Sequence, residues 1–412
     1  METSPENAKA ASKKEDLRIL QGHALAYFAF DIGYEVDLGK VNQLLTTQPV
    51  QPISRTKKTP NYLQYAKPPQ IVPLGQTDIL FDTQFEGQVN PQPSSPDLTG
   101  ASHGNGKQGK GQIQATIFDF GAVSISFRWP LAALAGLQDK PEQGILLETL
   151  PIYSKQLFET NLEAEAWHQV ERVMERIRPA ISRPHLSSLI EDYYVFIIET
   201  LSQPLLAQEL MTSHNATLAK ILRFETQPLS VEHQRDTLSK AVSYYEDDLA
   251  LIDWNASLIF DTDYADTLNV LELMNVELLE ARYMDAELDK RIDVYEETIA
   301  KKPSHWFLPL WNPYRKTIGE LAALRIEAAL LAERVENALK LIGDLYLARI
   351  HTAACERFSI SAWDEAISRK LTIIGNLYQL LTDRISTTQG QTLEMIIILL
   401  ILIEILLNIT PH

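Results

Sequence analysis

The sequence has little cysteine and no excess of positive charge, and each deficit excludes a class of protein. A single cysteine, Cys355, stands in 412 residues, which excludes intrachain disulfides and cysteine-rich metal sites and suits a reducing compartment. The formal net charge is −17, which argues against a general nucleic-acid binder because phosphate contacts require a basic face. We therefore expect no free nucleic acid as a partner.

The chain also lacks the residue patterns that identify common active sites. It shows no serine, histidine and aspartate in catalytic order, no Cys/His pair, no His-Glu-x-x-His motif and no dinucleotide-binding glycine fingerprint. Residues 104–110 fit the start of a phosphate-binding loop, but Gly111 stands where a hydroxyl residue is needed and a strand is predicted to follow. We assign no catalytic residue, no cofactor and no metal from the sequence.

The longest apolar run is at the C-terminal end. Met395 to Ile403 is uninterrupted, Glu404 follows, and the segment from Leu393 to Ile409 would span about 25 Å as a helix. We interpret it as a transmembrane tail that also joins copies of the chain, with a core helix buried inside an oligomer as the alternative. The residues assigned to this membrane and oligomer contact are Leu393, Met395, Ile397, Leu400, Ile403, Glu404 and Leu407.

Composition and periodicity divide the chain into four parts. Residues 1–16 are polar, lack the apolar core of a secretory signal and are predicted to be a disordered tail. Residues 17–262 are predicted to form an α/β sheet domain, interrupted by a disordered insertion at 86–111 that is rich in Gly, Pro and Ser. Residues 263–390 are helical, and residues 391–412 are the membrane anchor.

Two β-hairpins are predicted in the sheet domain. Gln112 to Phe127 alternates apolar residues on both sides of a turn, where Gly121 can supply a positive φ. Leu249 to Phe260 is the second hairpin, and Ser187 to Leu201 is predicted to be a buried helix because it is apolar almost all round. The turn of the second hairpin is the candidate functional surface: Asp253, Trp254 and Asn255.

Acidic residues are concentrated around the second hairpin. Clustered carboxylates can bind a divalent cation, although no loop has the spacing of a known calcium site and Asp beside strands often caps turns. These residues are Glu246, Asp247, Asp248, Asp253, Asp261, Asp263 and Asp266.

The helical part repeats apolar residues every three and four positions. Two such stripes joined by a short connection predict an antiparallel, coiled-coil-like hairpin, followed by a third helix that leads into the tail. Arg369, Lys370 and Arg384 precede the tail and no basic residue follows it, so the body is expected in the cytoplasm. The predicted hairpin interface is formed by Leu271, Leu278, Leu288, Ile292, Leu324, Leu331, Val335 and Ile342.

Taken together, these patterns predict an α+β protein: an N-terminal α/β sheet domain, a long helical hairpin and a C-terminal apolar, transmembrane helix. The segments FDFGAVSISF and LYQLLTDRISTTQGQTLEMIIILLILIEILL resemble the YagE family, also called the required-for-meiotic-nuclear-division family. Met395 and the insertion at 86–111 depart from that family's pattern. The resemblance implies a membrane-associated, self-associating protein of unknown biochemical function, with mitochondrial relatives linked to the translation machinery, and it supplies no catalytic residues.

Three functions remain open from the sequence. The first is a non-enzymatic, tail-anchored scaffold that self-assembles and docks an unknown protein partner, with the translation machinery as one candidate. The second is a metal-dependent enzyme that uses the acidic cluster near Asp253. The third is a ribosome or nucleic-acid adaptor with a local basic patch, formed either by Arg55, Lys57 and Lys58 or by Arg172, Arg176 and Arg178.

Overall fold

The chain forms two compact units. The structure is a computed structural model and describes residues 16–45, 51–52, 67–81, 107–137, 143–300, 317–326 and 345–409. The first unit, here called the sheet unit, comprises Met1–Leu279 and Lys340–Phe358. The second, here called the helical unit, comprises Glu280–Leu339 and Ser359–His412.

A mixed sheet is the centre of the sheet unit. In the described part of the chain its order is β10-β11-β12-β9-β1-β6-β5-β4-β3, with β7 also paired to β1, and β2 and β8 form a separate small pair. The β12–β9 pair is parallel, and the other pairs are antiparallel. The strands are β1 Arg18–Asp31, β2 Glu35–Val36, β3 Gln51–Pro52, β4 Gln70–Phe81, β5 Lys107–Ile117, β6 Ala122–Pro130, β7 Ile145–Leu146, β8 Ile181–Ser182, β9 Ile190–Leu201, β10 Ala241–Val242, β11 Leu249–Ile252 and β12 Ala256–Phe260.

The helices follow local sequence signals. In the fourth helix the side chain of Asn161 caps the N-terminus by accepting from the amide of Ala164, and apolar residues at three- and four-residue spacing are buried. The described helices are α1 Leu38–Leu44, α2 Leu131–Leu134, α3 Leu150–Glu159, α4 Leu162–Ile177, α5 Ala207–Ser213, α6 Asn215–Arg223, α7 Val231–Thr237, α8 Ala265–Ala300, α9 317–326, α10 Leu345–Arg357 and α11 Ile360–Ile409.

Both predicted hairpins are confirmed. Strands β5 and β6 pair on either side of a turn in which Gly121 has a φ of 104°, and β11 pairs with β12. The predicted disordered insertion is wrong at its end, because Lys107 to Gly111 belong to β5. A Cβ on Gly111 would overlap the indole of Trp129, so this glycine lets the Trp129 ring lie against the strand. Residues 86–106 lie outside the described residues.

The predicted buried helix at Ser187 to Leu201 is wrong. This segment contains β9, which lies between β1 and β12 near the middle of the sheet. Both faces of β9 are buried from Tyr193 to Ile198, so its side chains are apolar without alternation, and periodicity alone does not distinguish such a strand from a buried helix. Its content of Tyr, Val, Phe and Ile favoured a strand.

The predicted transmembrane helix is also wrong, and with it the fold class and the membrane-associated localisation. Among the helices of the described residues, none is both long and apolar enough to cross a bilayer. The C-terminal apolar run of α11, from Leu393 to Ile409, corresponds to about 25 Å of helix against a hydrocarbon core of roughly 30 Å. Glu394 and Glu404 lie within this stretch. Leu393, Met395, Ile397, Leu400 and Ile403 are exposed, and the side chain of Leu407 lies outside the described set.

Three helices share the apolar cluster of the helical unit, where a two-helix coiled coil was predicted. Lys370 on α11 pairs with Asp285 and Asp289 on α8, each at 2.6 Å, so these acidic side chains have a cationic partner beside the apolar cluster. Among the predicted interface residues, Leu271 and Leu278 fall in the sheet unit, while Leu331, Val335 and Ile342 lie outside the described residues. The cluster comprises Met284, Leu288, Tyr295, Leu321, Leu324, Ile374 and Leu381, with Ile292 packed against it.

Candidate functional site: an acidic, tyrosine-lined cleft

An open cleft of about 1040 Å³ lies at one end of the sheet in the sheet unit. Its described lining includes no Lys, Arg or His. We call it the acidic cleft and define it by six carboxylate residues and three tyrosines of its lining: Glu199, Glu209, Asp247, Asp248, Asp261, Asp263, Tyr244, Tyr245 and Tyr346.

The parallel pairing of β9 and β12 places two of the carboxylates on one wall. Ile198 is the register partner of Phe260, so Glu199 and Asp261, the next residues along each strand, follow at the same end of the sheet. Because the carboxyl ends of parallel strands share one edge, residues far apart in sequence become neighbours there. The topology therefore brings Glu199 and Asp261 to the same wall of the cleft.

A turn held by Asp248 presents two tyrosine rings to the cleft. The backbone amides of Tyr244 and Tyr245 donate to Asp248 Oδ1 at 2.6 and 3.1 Å. Burial raises the pKa of the Asp248 carboxyl, and the two amide hydrogen bonds oppose that rise. Asp248 therefore shapes the turn, while Tyr244 and Tyr245 remain 60% and 65% exposed.

Tyr346, at the start of α10, brings a third ring to the same cleft. The ring centroids of Tyr244 and Tyr245 are 4.7 Å apart and those of Tyr244 and Tyr346 are 6.2 Å apart, both in edge-to-face orientation. Burial raises the pKa of the Tyr346 hydroxyl to about 12. The phenol is therefore neutral at physiological pH, and the three rings add aromatic faces to a wall of carboxylates.

Hydrogen bonds hold the Glu199 carboxylate on the cleft wall. Tyr264 donates its hydroxyl hydrogen to Glu199 Oε1 at 2.7 Å, and Arg128 donates to the Tyr264 hydroxyl oxygen at 2.6 Å. His23 Nδ1 lies 2.8 Å from the same carboxylate oxygen. Burial, and then the charge of Arg128, lowers the pKa of His23, so a neutral imidazole that donates from Nδ1 fits this position.

The predicted functional surface at Asp253 is separate from the cleft. Asp253 is fully buried, and its carboxylate lies 2.7 Å from Arg223 Nε and 3.6 Å from Arg357 Nε. Burial raises the pKa of Asp253, and the two arginine charges oppose the rise. Trp254 and Asn255 are exposed. None of the three lines the acidic cleft.

Asp253 belongs to a four-residue ion-pair network that we call the arginine clamp: Arg223, Asp236, Asp253 and Arg357. Asp236 pairs with Arg223 at 3.2 Å and with Arg357 at 3.3 Å. Arg357 also donates to the Asp236 carbonyl oxygen and to Ser239 Oγ. The clamp joins α6, α7 and the end of α10 to the β11–β12 turn. Asp253 is therefore occupied in structural contacts.

The remaining sequence candidates do not form a metal centre or a catalytic pair in the cleft. Within the described residues, no group of three or more His, Cys, Asp or Glu side chains could hold a metal ion. Cys355 Sγ lies 3.5 Å from His351 Nε2 on α10, a contact that the four-residue spacing could have shown and that sequence reasoning missed. Arg172, Arg176 and Arg178 are exposed on and just after α4, and Arg55, Lys57 and Lys58 lie outside the described residues.

The fold and the cleft define a mixed-sheet α/β protein with an acidic, aromatic groove and a separate helical unit. The chain belongs to the family described as "Uncharacterized protein MJ0711, N-terminal domain", whose family model matches residues 21–92 and 87–267. It is 24% identical over 245 residues to "Uncharacterized protein MJ0711" of Methanocaldococcus jannaschii, an alignment that covers 59% of this chain and 73% of the relative. No solved structure matches significantly.

These comparisons overturn the resemblance to the YagE family. The family match covers strands and helices of the sheet unit, whereas the resemblance depended most on the C-terminal apolar run. Runs of Ile and Leu recur in unrelated apolar helices, so they carry little information about ancestry. The matched family and relative are both described as uncharacterized, and neither description assigns an activity.

Proposed function

We propose that this chain is a non-enzymatic docking protein that binds a basic segment of a partner protein in the acidic cleft. The observation that carries the proposal is the composition of the cleft wall: six carboxylate residues and three tyrosines, with no Lys, Arg or His among the described lining residues. Such a wall is complementary to lysine and arginine side chains, because it offers both opposite charge and aromatic faces.

The two kinds of lining residue have different roles in this proposal. The carboxylates attract a cationic segment over a distance of about 8–10 Å at physiological ionic strength. A tyrosine ring under an ammonium or guanidinium group adds about 0.5–2 kcal/mol, depending on how fully the contact excludes water. Leu206 and Phe260 also line the cleft and can contact the aliphatic part of a long basic side chain.

The cleft can be tested with a fluorescent peptide that alternates Lys or Arg with Leu. We expect the full chain to bind this peptide, with an affinity that falls as salt is added, and to leave a Glu/Leu peptide of equal length unbound. Replacing Tyr244 and Tyr245 together by Ala should weaken binding about tenfold, as expected from the loss of two cation–π contacts. Fluorescence anisotropy measures both affinities.

Charge variants separate the cleft from the general acidity of the chain. The cleft variant Asp247→Asn with Asp261→Asn removes two negative charges from the wall. The matched control, Glu175→Gln with Glu232→Gln, removes two charges from exposed positions on α4 and α7 outside the cleft lining. Only the cleft variant should lose affinity. Equal losses in the two variants would mean that net charge, and not the cleft, attracts the peptide.

Self-association through α11 stays a prediction, as does docking to the translation machinery. The described side chains of α11 that support self-association are apolar and highly exposed, for example Met395 at 69% and Leu400 at 59%. Exposed apolar surfaces of this kind are commonly covered by a partner. Light scattering of the full chain over a range of concentrations tests the prediction, and the monomer mass of 46.6 kDa at every concentration would contradict it.

A further inference from the structure

A buried carboxyl group lies between α8 and the sheet in the sheet unit. Glu272 is only 7% exposed, and the hydroxyl groups of Thr116 on β5 and Ser124 on β6 lie beside its side chain. Its Oε1 atom has no hydrogen-bond partner among the described residues. The position is unusual because a buried carboxyl is normally matched by a cation or by several donors.

Among the described residues, the groups that act on the Glu272 carboxyl are hydroxyls and carry no positive charge. Thr116 and Ser124 are neutral hydroxyls, and Tyr27 on β1 is a buried phenol whose pKa is raised well above its ordinary value, first by burial and then by the charge of Glu272. Arg128 on β6 acts on the Tyr27 phenol, and its guanidinium donates to the Tyr264 hydroxyl. Further along α8, Asn275 donates to the Glu191 carbonyl oxygen.

Burial therefore dominates the ionisation of Glu272. It raises the pKa of the carboxyl to about 7, and the neighbouring hydroxyls lower it by less. In an opened state the same carboxyl would be hydrated and would ionise near its ordinary value of 4.5. The closed arrangement of helix on sheet consequently binds a proton that the opened arrangement releases.

We propose that Glu272 is a proton-operated latch between α8 and the sheet. When its carboxyl is protonated, the first part of α8, residues 265–279, is held against β5 and β6. As the pH rises from about 4.5 through about 7, this part of the helix opens more often, because the opened state releases the proton first. Helix α8 begins in the sheet unit and continues into the helical unit. A change of pH within the cellular range can therefore change how often the first part of α8 opens.

Hydrogen exchange of the full chain tests the latch. Protection factors, corrected for the intrinsic pH dependence of exchange, are compared at about pH 6 and about pH 8.5 for peptides from α8, β5 and β6. A shift of the carboxyl pKa from 4.5 to about 7 corresponds to a loss of protection of about tenfold between these conditions. Peptides from α3 serve as an internal reference and should change little.

Two variants identify the group that titrates. Glu272→Gln carries no titrating carboxyl, so its α8 peptides should be equally protected at both pH values. Ser124→Ala removes a hydroxyl that favours the ionised carboxyl, so the midpoint of the protection change should move to higher pH. If Glu272→Gln keeps the tenfold change, or if wild-type α8 shows no change, the latch proposal is wrong.

Discussion

Replacing Arg357 with methionine is expected to lower the free energy of unfolding of the sheet unit by about 3–5 kcal/mol, the usual loss when one partner of a buried ion pair is removed. The Arg357 side chain is only 8% exposed, and the substitution removes its contacts with Asp236, Ser239 and Asp253. Asp253 would retain Arg223 but lose the second charge that opposes the cost of its burial. Urea-induced unfolding measures the loss.

Arg349 is the matched control on the same helix. It is exposed and donates to the Ser243 carbonyl oxygen at 3.1 Å, so Arg349→Met should cost about 1 kcal/mol or less. If both substitutions cost the same, burial of the arginine clamp does not stabilise the unit as we infer. The two variants have the same helix, the same original residue and the same replacing residue, so they differ in the burial of the arginine and in its contacts.

The decrease in the free energy of unfolding caused by Arg357→Met should also depend on pH. Burial already raises the pKa of Asp253, and removal of Arg357 raises it further. A carboxyl whose pKa is raised in the folded state favours folding at low pH, and that advantage is lost as the pH rises from its ordinary value of 3.8 through the folded value. Arg357→Met should therefore be less destabilising at about pH 4 than at about pH 7.

The arginine clamp also connects stability with the cleft. Helix α10 has Tyr346 at its first turn and Arg357 at its last residue, about 16 Å apart along the helix axis. The clamp holds one end of the helix to the β11–β12 turn, and the other end presents Tyr346 to the cleft. The position of a binding residue thus depends on ion pairs at the opposite end of the same helix.

Local signals in the sequence predicted the hairpins because the information lay within a few residues. Alternation and Gly121 identified β5 and β6, and the same reasoning identified β11 and β12. Strand β9 was mistaken for a helix because both of its faces are buried, and Tyr193 to Ile198 therefore show no alternation of exposed and buried residues. Which segments cover it depends on topology, and periodicity within one segment does not report topology.

The candidate site was predicted in part, for a similar reason. The sequence showed the acidic concentration that includes Asp247 and Asp261, both of which line the cleft. The sequence analysis placed the functional surface at Asp253. It could not show that Arg223 and Arg357 pair with this residue, because both arginines are far away in the chain. Tyr346 was missed because α10 reaches the cleft only through the fold.

Alanine at Gly121 is expected to cost about 3 kcal/mol or more in unfolding free energy, the effect of two separate penalties. Gly121 has a φ of 104°, a conformation that residues with a Cβ rarely adopt. A Cβ at this position would also overlap the carbonyl oxygen of Gly33. The turn cannot move away from Gly33 without breaking a hydrogen bond, because the amide of Ile32 donates to the Gly121 carbonyl oxygen at 2.9 Å.

Two other glycines separate these penalties in the same chain. Gly75 has a φ of 131° with open space around it, so Gly75→Ala tests backbone strain alone and should cost about 1–2 kcal/mol. Gly319 is helical and also open, so Gly319→Ala should stabilise its helix by about 0.5–1 kcal/mol. A Gly121→Ala loss no greater than that of Gly75→Ala, measured by urea unfolding, would show that the turn yields to the added methyl group. The larger loss that we expect would instead show that the β5–β6 turn is fixed against the segment that follows β1.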